Sequence, residues 1–177
     1  MCDFAFQPVL DGFAGLQRGD HVAWKHSSAA DRVFYHHAVV EGTSVEDNYV
    51  NVIALTKEGV GRCVIDTSEG LHKVDVVSQP AAPVDPGMVQ KTTSMITSVF
   101  SSSSPTLQTP KPGEKLDREA VYSNAKAMLG RKGYDPVKNN CETFAFECRF
   151  GVKQEEPVCC PMCQTTGHRT KHIFSQK

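Results

Sequence analysis

Asn139-Asn140-Cys141-Glu142-Thr143-Phe144-Ala145-Phe146-Glu147-Cys148-Arg149-Phe150-Gly151 reads as a loop running into a short helix. Upstream, Asp135-Pro136 is a turn pair. Asn139 or Asn140 suits the N-cap, and Glu142 falls in the first turn, where the helix dipole favours an anion. Gly151 offers a left-handed C-terminal cap. Cys141 therefore stands at the very start of the helix, where unpaired amides and the positive dipole end stabilise a thiolate. Phe144 and Cys148 follow it at i+3 and i+7, which puts the cysteine beside a buried seam. A thiol so placed acts as a nucleophile once a base reaches it. The same stretch also suits a small buried core cysteine.

Outward from this helix, the composition sets bounds. A chain of 177 residues fits one domain with an appended or inserted piece, and 40% apolar content is enough for a core. A net charge of -1 and a pI near 6.6 give no electrostatic case for nucleic acid or an anionic membrane surface. Seven cysteines, an odd number, with no signal peptide to be read, point to a reducing compartment and away from a disulfide framework. No window approaches the roughly 18 apolar residues that span a bilayer. The expectation is a cytoplasmic protein, or one peripheral to membranes.

The first half of the chain is read as strands. Residues 1–19 carry scattered apolar residues among Gly12, Gly15 and Gly19, and are expected to form an irregular lead-in that packs on the domain. Strand patterns then run over Asp20 to His26, Val33 to Glu41, Tyr49 to Thr56, Arg62 to Ile65 and Leu71 to Ser78, separated by short polar turns. Such a series implies an antiparallel meander rather than a Rossmann-type sheet. Residues 80–114 are rich in Pro and Ser and too poor in apolar side chains to offset ordering entropy, so a flexible insert is expected there. Within it, Met95-Ile96-Val99-Phe100 suits a transient helix or docking segment, or mere local stickiness. Asp117 is an N-cap for a helix running toward Gly130.

A nucleophilic cysteine needs an imidazole to take its proton and return it. His21, His26, His36, His37, His72, His168 and His172 are available. His36 and His37 sit mid-strand in an apolar run, and because faces alternate they point to opposite sides. Taken singly, either also reads as an ordinary strand histidine.

Several segments combine into a pattern. Gly19-Asp20-His21-Val22, His36-His37-Ala38-Val39-Val40, Leu129-Gly130 with Gly133-Tyr134, Asn139-Asn140-Cys141-Glu142-Thr143-Phe144-Ala145 and Cys148-Arg149-Phe150-Gly151 together resemble the lecithin:retinol acyltransferase-like (LRAT domain) family. This is the circularly permuted branch of the NlpC/P60 papain-like thiol fold, and includes phospholipase A/acyltransferases related to the H-ras-like suppressors. The resemblance covers roughly residues 18 to 78 and 116 to 151. It implies an α+β fold, a small antiparallel β-sheet packed on helices, over residues 20–151. It makes Cys141 similar to the family nucleophile and His36 similar to its general base, with His37 the fallback. It also implies attack on a lipid acyl ester, an acyl-cysteine intermediate, and transfer to an amine, an alcohol or water, with no metal required.

Two departures stand out. The family's third member, usually a second His on the next strand, falls here on Ala54, and His72 on a later strand is the substitute or else a surface strand histidine. Where the family motif often has His after Glu, this chain has Thr143. The apolar anchoring tail of some members is also lacking, so contact with a phospholipid donor would be peripheral. The alternative of a different class is a catalytically impaired regulatory or interaction module, viral proteins of the same His/Asn-Cys type included. Residues 152–177 carry Cys160, Cys163, His168 and His172, a Cys-x2-Cys-x4-His-x3-His series with zinc-knuckle-like spacing. The competing reading is an unstructured tail with Cys159 and Cys160 as acylation targets.

Overall fold

β-branched and aromatic residues crowd the first half of the chain, and in the computed structural model they build one sheet. Residues 3–10, 12–27, 33–66, 70–78, 105–110, 115–152 and 173–174 are described. The strands are β1 (Asp3–Pro8), β2 (His21–Ser27), β3 (Val33–Ser44), β4 (Tyr49–Thr56), β5 (Gly59–Ile65) and β6 (Leu71–Ser78). The helices α1 (Arg118–Ala127) and α2 (Cys141–Phe150) follow, and then a two-residue strand β7 (Ile173–Phe174). The sheet order is β5-β4-β3-β2-β6-β1-β7, antiparallel throughout β1 to β6, with β7 parallel to β1. The architecture is α+β, as expected.

β2 to β5 form the expected meander, but β6 does not extend it. β6 pairs with β2 on one side and β1 on the other. The reason lies in burial. β6 gives Leu71 to one core cluster and Val74 to another, so it needs neighbours on both edges. β5 has exposed Arg62 and Val64 and suits the outer edge. The lead-in also needs correction. Asp3–Pro8 is a strand rather than irregular chain, drawn in by Phe6, which is 1% exposed, and ended at Pro8. Residues 12–15 and 18–19 do form turns.

Both faces of the sheet are buried. On one face Phe13 and Leu16 cover Val22, Ala38, Val40, Val52 and Ala54. The helices cover the other. Phe144 and Cys148 of α2 pack with Val121, Ala125 and Met128 on Val39, Ile53 and Leu55. Phe146 and Phe150 of α2 pack on Phe6, Ala23 and Val74. Nine of the ten α2 residues are buried, so this helix is the axis of the helical layer.

α1 is capped by the Asp117 carboxylate, which accepts from the Ala120 amide at 2.8 Å, as expected; it ends at Ala127, with a turn leading to Gly130. Within the predicted insert, residues 105–110 pack on the domain. The Gln108 amide donates to Asn124 Oδ1 at 2.7 Å, Asn124 Nδ2 donates back to the Gln108 carbonyl at 2.9 Å, and Leu107 packs against the helical core. The Met95-Ile96-Val99-Phe100 group and the tail residues Cys159, Cys160, Cys163, His168 and His172 lie outside the described residues.

Candidate active site

The start of α2 follows from its first residues. Asn140 is extended (φ -111°, ψ -175°), and its Oδ1 accepts from the Glu142 and Thr143 amides, each at 3.0 Å. Thr143 Oγ1 in turn accepts from the Asn140 amide at 2.8 Å, closing a capping box. Asn140 Nδ2 donates to the Pro136 carbonyl at 3.0 Å, which fixes the approach of the loop. At the other end Gly151 adopts φ 66° and its amide bonds the Glu147 carbonyl at 2.8 Å. A Cβ at Gly151 would meet the Gln108 carbonyl oxygen at 1.9 Å, so only glycine fits. Cys141 is thereby held as the first residue of the helix, 3% exposed, with Sγ 4.0 Å from the Tyr35 carbonyl oxygen of β3.

That contact falls on a distinctive part of β3. Its ladder with β4 begins only at Val39 and Ile53, so Val33 to Ala38 pair with β2 alone among the described strands. Alternation along this stretch decides which histidine faces α2. Tyr35 and Val39 belong to the clusters beneath α2, whereas Ala38 and Val40 belong to the opposite face. His37 therefore lies on the helix side, fully buried. His36 lies on the other side, its ring edge-on to Trp24 with centroids 4.7 Å apart. Burial lowers the His36 pKa to about 4, which leaves it a weak proton acceptor.

His37 has a partner that the strand pattern did not single out. His21 is the first residue of β2, 2% exposed, and its Nε2 lies 2.9 Å from His37 Nδ1. The register explains the meeting. His21 is opposite Val39 and Ala23 is opposite His37, so the two imidazoles are diagonal neighbours on one face. Burial, then the charges of His37 and Arg149, push the His21 pKa well below its ordinary value, so this ring is neutral. His21 stood among the available histidines; the signal for its pairing was its hairpin register with His37, which needs the strand ends to be known.

His72 lies on the helix-facing side of β6, at the rim. Its ring meets Phe6 at 6.0 Å and Tyr35 at 5.6 Å, and its Nδ1 donates to the Gly70 carbonyl at 2.9 Å. Ala54 belongs to the cluster on the face away from the helices, so its strand sends no side chain toward His37 from that position. Phe6 sits edge-on to His37 at 6.1 Å and closes that side of the imidazole from water. A hollow of about 90 Å³, lined by His21, Asp20, Lys73, Arg118 and Arg149 among others, adjoins the pair; Cys141 and His37 do not line it.

A family model described as lecithin retinol acyltransferase matches residues 14–154, which takes in β2 to β6 and both helices. The chain belongs to the lecithin retinol acyltransferase family. Comparison with the curated proteins and with the solved structures returns no match. Membership in a family of lecithin retinol acyltransferases supports an acyltransferase-type activity. β1 lies ahead of the matched stretch, yet its Phe6 contributes to the surroundings of His37. Among the described residues, no group of His, Cys, Asp and Glu is arranged to hold a metal ion.

Proposed function

We propose that this lecithin retinol acyltransferase family member is a thiol acyltransferase with phospholipase A-type chemistry, using Cys141 as nucleophile and His37, in place of His36, as general base. One observation carries the choice of base. His37 is the member of the adjacent pair that lies on the side of the sheet covered by α2, and its Nδ1 is engaged by a second buried imidazole. With His37 donating from Nδ1, Nε2 is the nitrogen that takes the proton from Cys141 Sγ. The thiolate attacks the ester carbonyl of a phospholipid or other acyl donor. A C–S bond forms, the ester C–O bond breaks, and the His37 imidazolium returns its proton to the leaving oxygen. An amine, alcohol or water then attacks the thioester and frees Sγ. The backbone amide at the start of α2 helps to hold the oxyanion. No described helix is long and apolar enough to cross a membrane, and the proposed contact with the lipid surface is peripheral.

The test is incubation of the full chain with phosphatidylcholine vesicles, followed by mass spectrometry. An acyl adduct on Cys141 with released lysolipid, absent in Cys141→Ala and His37→Ala, is the expected result. Folded protein that forms neither adduct nor free fatty acid would overturn it. That outcome would favour the second reading, an interaction module that kept the fold, for which Ala54 in the family's orienting position is the supporting observation.

A further inference from the structure

A histidine base works only in one tautomer. To take a thiol proton at Nε2, the neutral ring must carry its hydrogen on Nδ1, and which nitrogen carries it is set by the partner of the other. In this chain the strand position that the family resemblance assigns to that partner is Ala54, on the face away from the helices. The bond at His37 Nδ1 is made instead from the opposite flank of β3, by His21 Nε2 of β2 at 2.9 Å.

Two neutral imidazoles share one hydrogen in such a bond. If His21 donated, the His37 hydrogen would sit on Nε2 and the ring could not accept the thiol proton. If His37 donates, Nε2 is the basic atom. The charged intermediate removes the ambiguity, because an imidazolium donates from both nitrogens and needs an acceptor at Nδ1. A neutral His21 supplies that acceptor. Protonating His21 would break the arrangement, and its burial among His37 and Arg149 opposes this.

Resting on the reading of Cys141 and His37 above, we propose that His21 is the positioning residue of this site: its Nε2 accepts the His37 Nδ1 hydrogen, so that β2 supplies the orienting group that β4 lacks. The Cys141 proton then moves to His37 Nε2 while the Nδ1 hydrogen stays in the His37–His21 bond. No net charge passes to His21. Its role is to hold one ring, one tautomer and one orientation.

The experiment uses the full chain and two readouts. Alkylation of Cys141 by iodoacetamide, followed by site-resolved mass spectrometry from pH 5 to 9, reports the base. His21→Phe, which fills the space without an acceptor, is expected to slow alkylation at pH 7 by on the order of 10-fold or more and to move the pH midpoint upward. His21→Gln, which restores an acceptor oxygen, is expected to recover most of the rate. Nitrogen-detected imidazole NMR on the unaltered protein serves where His21→Phe does not fold; it is expected to find the His37 hydrogen on Nδ1. Alkylation unchanged in His21→Phe, or a His37 hydrogen on Nε2, would overturn the proposal. If His37→Ala itself left the Cys141 rate and its pH profile unchanged, the base assignment would fail instead, whatever His21 does.

Discussion

At the scale of single residues, the adjacent histidines show what a strand pattern conveys and what it does not. That His36 and His37 face opposite sides was legible, because side chains alternate along any strand. Which of them meets α2 was not, because both faces of β3 are apolar: Val39 feeds one core and Ala38 and Val40 another. Two-sided burial erases the polar side that would have marked the outside. His36 pays for its position in a way that pH reveals. Burial holds its folded pKa at about 4 against an ordinary value near 6.5, so acid protonates the unfolded chain first. Stability present above pH 6.5 is therefore lost as the pH falls toward 4. Between pH 7 and pH 5 this one ring accounts for about 2 kcal/mol. Urea denaturation of His36→Gln should show a fall smaller by about that amount over the same interval, while Cys141 alkylation at pH 7 stays near the unaltered rate.

At the scale of elements, α2 was legible almost entirely. An Asn before a Cys-Glu pair, and a Gly after Phe150, carried the caps, and both ends lie where those residues put them. What the sequence did not convey was the depth of the helix. Glu142 and Glu147 are buried, and Glu147 is paired with Arg131 from the preceding turn, a contact set by tertiary packing rather than by spacing. Cys148, one face further on, is held well above its ordinary pKa by burial and by Glu147, so it stays a thiol where Cys141 stands at the dipole end. The Asn140 cap joins stability to chemistry. Its Oδ1 serves two amides and its Nδ2 ties the incoming loop. Asn140→Ala should cost about 1–2 kcal/mol in chemical denaturation and slow Cys141 alkylation, while Asn140→Asp, which keeps the acceptor, should restore most of the stability.

At the scale of the whole molecule, the strands were readable one by one but their order was not. Turn residues announce where a strand stops; they do not announce that β6 leaves the meander to pair with β2 and β1. The contacts that fix this order are long-range, and Asp20 gathers two of them beside a local one. Its carboxylate, 4% exposed, pairs with Lys73 of β6 at 2.9 Å and Arg118 of α1 at 2.7 Å, and accepts from the Gln17 amide at 2.9 Å. Asp20→Asn should leave two cations without their anion and cost on the order of 2 kcal/mol, less than a fully buried pair because Lys73 and Arg118 reach solvent. Urea denaturation would measure it, and the loss should shrink in high salt.

The order of the chain has one more consequence. Among the described residues, every strand that presents a histidine beside α2 precedes position 79, and the helix carrying the sulfur follows position 114. During synthesis the sheet half is made first, and Cys141 is added to a scaffold whose imidazoles are already spelled out. Under the function proposed above, the thiol meets its base only when α2 docks, so reactivity would arrive with completed folding, and a half-made chain would carry no armed nucleophile.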